Sequence, residues 1–372
     1  MACIYRVLAL LLFCCAAGAQ EDPEQILRQA IRLHQAGDVE KAIPQYRAYL
    51  KARPDAVDAR SNLGAALAST GRYQEAIAEY REALKGRPQD PRIRLNLALA
   101  YYKLGQVSEA AAELSTLHAA APANSQILLL LADCQLRQGL NRQVIDLLTP
   151  LETQTPNDLA LAYLLGTALL RDNQIERGQQ MIDRILRNGD SPEARLMMGT
   201  AKLQGRDFNG AIADLEKAAQ MNPHLPDVYS YLGRAHLGTG DGAAARQDFQ
   251  QELAQNPNDF ESNLNLAVLL RQDDDFTNSR HLLERALRVR PGDLRVLFQL
   301  AAVDLAAGRL EAARAGLEAL IKQAPDFIEA HISLATTYYR MKRKSDGDRE
   351  RALVQKLTAE QRVRQAAEKP QK

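Results

Sequence analysis

Residues 61–88 read SNLGAALASTGRYQEAIAEYREALKGRP. Leu63, Leu67, Ile77, Tyr80 and Leu84 recur at helical spacing, which predicts two amphipathic helices. Gly71 interrupts them as a helix stop and turn, and Pro88 closes the segment. The unit therefore reads as helix, short turn, helix, short turn, and it does not stand alone. Pro54, Pro88, Pro122 and Pro156 follow one another at 34-residue steps, as do Pro223, Pro257, Pro291 and Pro325. Gly37, Gly71, Gly105, Gly139, Gly240 and Gly308 keep the same beat.

Units numbered 1 to 34 start at residues 23, 57, 91, 125, 159, 192, 226, 260, 294 and 328. Position 8 is then Gly or Ala in all ten, from Ala30 and Gly64 to Ala301 and Ala335. A position so restricted marks a close helix–helix contact, where a larger side chain overpacks at about 1–3 kcal/mol. Position 20 is also small in most units, including Ala42, Ala76, Gly178 and Ala313. Pro23, Pro91, Pro192 and Pro226 fall at position 1, the first helical residue, where the missing N–H costs nothing.

On these residues the chain resembles the tetratricopeptide repeat, with SNLGAALASTGRYQEAIAEYREALKGRP close to a consensus copy. The resemblance runs from residue 23 to about 350 and implies an all-α, right-handed superhelical solenoid of antiparallel helix pairs that binds proteins. Residues 20–350 form the expected array of about ten repeats, and 351–372 a basic capping helix and tail, the helix starting near Asp348. Three irregularities stand out. Repeat five ends in Asn188-Gly189 without its proline, so a joint is expected near 187–191. Pro44 and Pro150 fall inside second helices, where proline should kink them. Repeat ten loses the pattern after ISLATTYYRM.

Residues 1–19 read as a signal peptide: Arg6, an apolar run, then Ala17-Gly18-Ala19, with cleavage expected before Gln20. The run is short for a membrane span, so no stable span is expected after cleavage. Of the four cysteines only Cys134 would remain, so no internal disulfide is expected. With no Asn-x-Ser/Thr acceptor either, a periplasmic or secreted protein of a bacterial envelope is the expectation.

Lys plus Arg number 47 and Asp plus Glu 46, which argues against a generally basic nucleic-acid binder. Residues 340–372 are an exception, with 11 basic and 5 acidic residues. The six histidines form no ligand set, and no phosphate loop, nucleophile elbow or kinase signature occurs, so no enzyme, cofactor or metal is expected. Gly238-x-Gly240-x-Gly242 and Asp273-Asp274-Asp275 both read as inter-helix turns.

Positions 2, 5, 6, 9, 12 and 13 of the first helix lie away from its 4, 7, 8, 11 packing face. In tetratricopeptide arrays that second face lines the concave groove. Here it offers Leu99, Tyr102, Leu129, Leu130, Tyr163, Leu164 and Met197 as an apolar strip, with Tyr231 in a more polar flank. Asn62, Asn96 and Asn265 share position 6, which resembles the peptide-holding asparagines of the O-GlcNAc transferase repeat domain. Two readings stay open: a tight superhelix in which these residues pack on their neighbours, or an exposed strip that holds the expected partner, a protein or peptide segment. The alternative is an accessory role in polysaccharide or cell-wall assembly, with a glycan or a synthase as partner.

Overall fold

A computed structural model describes residues 22–367, so the expected signal segment 1–19 lies outside the described residues. Every described element is an α-helix, and the chain divides into two compact units, residues 1–100 and 101–372. The first holds α1 (Pro23–Gln35), α2 (Val39–Ala52), α3 (Val57–Ser69), α4 (Tyr73–Gly86) and most of α5 (Pro91–Lys103). The second begins at the end of α5 and continues through α6 (Val107–Ala120), α7 (Ser125–Arg137), α8 (Asn141–Glu152), α9 (Leu159–Arg171) and α10 (Ile175–Leu186). It then holds α11 (Pro192–Gln204), α12 (Phe208–Met221), α13 (Val228–Thr239), α14 (Gly242–Gln255) and α15 (Phe260–Gln272). Last come α16 (Phe276–Val289), α17 (Leu294–Ala306), α18 (Leu310–Gln323), α19 (Ile328–Arg340) and α20 (Lys344–Ala367). Odd-numbered helices are the first of each repeat and even-numbered ones the second.

The small positions sit where a side chain would collide. A Cβ on Gly64 would lie 2.7 Å from the Tyr80 ring, and one on Gly233 2.6 Å from Phe249. Tyr80 and Phe249 are fully buried, so neither ring can give way cheaply. Position 15 has positive φ in every repeat. Six units use glycine there, and Asn173 (φ 62°), Arg206 (62°), Asp274 (60°) and Lys342 (61°) take the same left-handed conformation in the others. The geometry is thus the repeat's requirement, and glycine only its least strained solution.

The repeat-boundary proline has a second role. Its carbonyl lies in the connection between helices, and the side chain at position 4 of the next unit donates to it in several repeats. Arg60 Nη2 reaches Pro54 O at 2.6 Å, Arg94 Nη2 reaches Pro88 O at 2.7 Å, and Asn263 Nδ2 reaches Pro257 O at 2.9 Å. Position 4 of the packing face is therefore a mixed position, apolar in some units and a donor to the boundary carbonyl in others. The residue ahead of each first helix is commonly a cap: Asn124, Asp158, Ser191 and Asp259 each accept from the N–H three residues on.

Two expectations need correction. Repeat ten is complete: α20 begins at Lys344 and packs on α19, and Gly347 occupies position 20, where a Cβ would lie 2.6 Å from the Tyr339 ring. Its second helix and the described part of the expected cap, up to Ala367, are one continuous helix; residues 368–372 lie outside the described residues. The polar composition of that helix hid the pattern. The prolines interrupt nothing: α2 runs through Pro44, and α8 runs two residues past Pro150.

The connection between repeats five and six is exposed from Arg187 to Asp190, and Gly189 has φ 107°. Asp190 is tied down by Arg195 (2.7 Å) and Lys217 (2.8 Å), which leaves Arg187–Gly189 as the loosest stretch. Limited trypsin digestion of the folded protein is expected to cut first after Arg187, read by intact-fragment mass spectrometry. First cuts inside α3–α4 or α15–α16 would contradict this.

Candidate functional site

Part of the expected groove strip is interior. Leu164 is 8% exposed, Met197 1% and Tyr231 3%, and their neighbours Leu136, Leu170 and Leu196 are equally buried. The cause is direct packing of first helices on one another: α7 on α9, α9 on α11 and α11 on α13. Position 6 then falls in the seam between neighbours. Leu164 and Met197 join one core cluster with Leu165, Met181 and Ile182; Leu129 and Tyr163 pack against it. Tyr231 joins the next cluster, and Tyr163 touches that one too.

Tyr102, Leu130 and the half-buried Leu129 and Tyr163 remain on accessible flanks, while in the first unit Leu99 is 38% exposed and Asn62 and Asn96 are half-buried. Asn265 spends its amide N–H on Glu261 O of its own helix at 2.8 Å.

What the second unit presents instead is a polar cleft of about 870 Å³ lined from repeats three to eight, including Tyr102, Arg137, Arg171, Tyr231, Phe260 and Arg290. Arg171, at the end of α9, crosses it. Its Nε donates to Tyr231 OH at 2.8 Å, Nη2 to Asp227 Oδ2 at 3.1 Å, and Nη1 to Leu136 O at 3.2 Å. One guanidinium thus joins repeats four, five and seven. Beside it, Asp133 accepts from Tyr102 OH at 2.6 Å and from Arg137 Nε at 2.9 Å. On the far wall Glu261 Oε1 accepts from Arg290 Nη1 at 3.2 Å, and Arg290 lies over the Phe260 ring at 3.8 Å. Burial pushes the Glu261 carboxyl up, but the facing Arg295, Arg290 and Arg234 outweigh it and hold it below its usual range.

Asp227 is where the repeat departs from its pattern. It caps α13 with φ 67°, and among the described residues it is the one non-glycine with positive φ outside position 15. That turn aims its carboxylate at Arg171 and its N–H at Glu252 Oε1, 3.1 Å away. Strain held by partners on two sides is a mark of a specialised position. Glu252 is 2% exposed; burial first, then the charges of Asp227 and Asp259, push its pKa up to about 8. Asp259 is raised by burial and then by the charge of Asp227, against hydrogen bonds from Ser262 and Ser230. Sequence reasoning missed this acidic trio because its members lie at different repeat positions. The one available signal was HLPDVYS, where Pro226-Asp227 delays the start of the helix by two residues.

The remaining features are structural. Gly240 is the left-handed stop of α13, and Asp241 and Asp275 cap the helices that follow. Cys134 is fully buried, and burial pushes its thiol up to about 12. His236 pairs with Asp248 and His331 with Glu350, each at 2.6 Å.

Tetratricopeptide-repeat family models match residues 27–91, 163–226 and 196–260, and others described the same way match 67–134 and 270–337. The chain belongs to the tetratricopeptide-repeat family. A 50-residue stretch is 42% identical to the Hsp70-Hsp90 organizing protein of Triticum aestivum, covering 13% of this chain and 9% of that protein. The chain thus spans under a tenth of that relative. Among solved structures, the Cut9-Hcn1 hetero-tetramer of the APC/C aligns over 91% of this chain and 88% of that one, at 12% identity and TM-score 0.55, a likeness of fold. MamA 41-end from Desulfovibrio magneticus RS-1 aligns over 46% of this chain and 98% of that one, at 20% identity and TM-score 0.43. The fold is the all-α superhelical repeat fold, and tetratricopeptide-repeat proteins mediate protein–protein interaction.

Two outcomes follow. Leu164→Ala should destabilise by about 2–4 kcal/mol as a core truncation, and Leu99→Ala by no more than about 0.5 kcal/mol, in urea titrations. Equal small effects would return Leu164 to the surface. Glu252 has its ordinary value of 4.5 when unfolded and about 8 when folded. Its contribution to stability is therefore full below about 4.5 and is lost as pH rises through 8. Glu252→Gln should gain on the parent protein between pH 5 and 8.5; a constant gap would show that Glu252 does not titrate there.

Proposed function

We propose that the chain is a non-catalytic scaffold of the bacterial cell envelope that holds protein segments at the cleft of its second unit. The observation that carries this is the cleft itself, within an array of a protein-binding family. Tyr102, Arg137, Arg234, Phe260 and Arg290 line it with aromatic and guanidinium side chains, the residue types enriched where proteins meet. The flanking Leu129, Leu130 and Tyr163 add apolar contact. Partner recognition is then mainly polar and directional, in place of the apolar strip expected from sequence. The sequence of residues 1–19 supports export, and no described helix is long and apolar enough to cross a membrane.

The accessory role in polysaccharide or cell-wall assembly is the second reading. A glycan would stack on free aromatic faces. Here Arg137 lies over Tyr102, Arg171 and Arg234 flank Tyr231, and Arg290 covers Phe260. Those faces are taken, which favours protein.

Photo-crosslinkers at Tyr102 and Arg234, in the full chain in its own host, should capture one common protein. A crosslinker at Glu284, exposed on the second helix of repeat eight, should not. Glycan adducts, or the same captures from Glu284, would overturn the cleft as the protein site. Mass spectrometry of the exported protein should find Gln20 at its N-terminus; an intact Met1 would remove the envelope assignment.

A further inference from the structure

The second unit touches itself across its own inner face. Arg290 follows α16 at the end of repeat eight, and its Nε donates to Arg137 O at 2.9 Å, a residue 153 positions earlier. The turn beside it is Gly139, where a Cβ would lie 3.2 Å from the Arg290 guanidinium carbon. One repeat earlier on each side the pattern recurs. Gly105, the turn of repeat three, faces the Asn258 side chain in the loop after α14, and no Cβ fits between them. Two consecutive turns, of repeats three and four, thus meet two consecutive inter-repeat loops, after repeats seven and eight. The glycine at position 15 serves a backbone turn everywhere, but at 105 and 139 it also admits a neighbour.

The join is narrow. None of α6–α8 packs broadly on α14–α17, whereas every consecutive helix pair from α6 to α20 does pack. Asn258 and Arg290 therefore carry a contact with little apolar area, held by one charge-assisted hydrogen bond to a carbonyl and by Glu261, which orients the guanidinium. Such a contact opens at far lower cost than any helix–helix interface in the stack. Between the two edges lies the Arg187–Gly189 connection, exposed and lacking the usual proline, where a change of angle is easiest.

We propose that Asn258 and Arg290 form a latch that closes repeats three to eight around their own cleft. The unit then has a latched form and an open one, and a protein segment of any length reaches the inner face through the open one. The latch lowers apparent affinity by the fraction of molecules that are open. This goes beyond the scaffold reading and does not depend on it, because opening is measured without a partner.

The test is a distance distribution by pulsed electron paramagnetic resonance on the full chain, with Cys3, Cys14 and Cys15 replaced by Ser and spin labels at Gln143→Cys and Arg288→Cys. Both positions are exposed, and buried Cys134 stays unlabelled. The parent should give one narrow distribution. Arg290→Ala should shift it to longer distances and broaden it, while Arg142→Ala, which removes an exposed ion pair with Asp172, should leave it unchanged. Glu261→Gln keeps the guanidinium and the local volume but removes its carboxylate, and should produce the same shift in part. Circular dichroism identifies any variant that has lost helix; Glu261→Gln then decides. Distributions identical to the parent in well-folded Arg290→Ala and Glu261→Gln would overturn the latch.

Discussion

The contact between position 8 of one helix and position 24 of the next sets how close each pair can come. Gly or Ala at position 8 in all ten repeats lets a large side chain such as Tyr80 or Phe249 lie directly on backbone. In the second unit, successive first helices then touch, α7 on α9 and α9 on α11, and residues that would line a wider groove become core. The same closeness brings repeat five within reach of repeat seven, and repeat four within reach of repeat eight.

Inside that cleft charge is balanced locally. Arg137 faces Asp133, Arg171 faces Asp227, and Arg290 faces Glu261. Each guanidinium is also near an aromatic ring, so its apolar face is covered while its edge makes hydrogen bonds. An arriving segment would exchange these internal partners for its own. Recognition by exchange is selective, because a segment lacking the right groups leaves charges unpaired at a cost of several kcal/mol.

The fold was legible in sequence because it repeats: proline at 34-residue steps, glycine at the turn and small residues at position 8 are one local rule applied ten times. Repeat ten hid its second helix because KSDGDRERALVQKL is polar, yet Gly347 stood at position 20. The site was legible only in part. Tyr102 and Tyr231 do reach the cleft, but Leu164 and Met197 do not, since whether position 6 faces water depends on how tightly neighbours pack. The Arg171–Asp227 and Arg290–Arg137 contacts join residues 56 and 153 positions apart. No periodicity marks such pairs, because superhelical curvature, not the repeat, brings them together.

The account's central claim is that side chains of the second unit bridge its own inner face, and a double-mutant cycle on Arg171 and Asp227 tests it most directly. Unfolding free energies of the parent, Arg171→Ala, Asp227→Ala and the double variant give the coupling between residues two repeats apart. The account predicts a favourable coupling of about 1–3 kcal/mol, as for a well-oriented, largely buried ion pair. Additive single effects, with no coupling beyond about 0.3 kcal/mol, would mean that the inner face is open and unbridged.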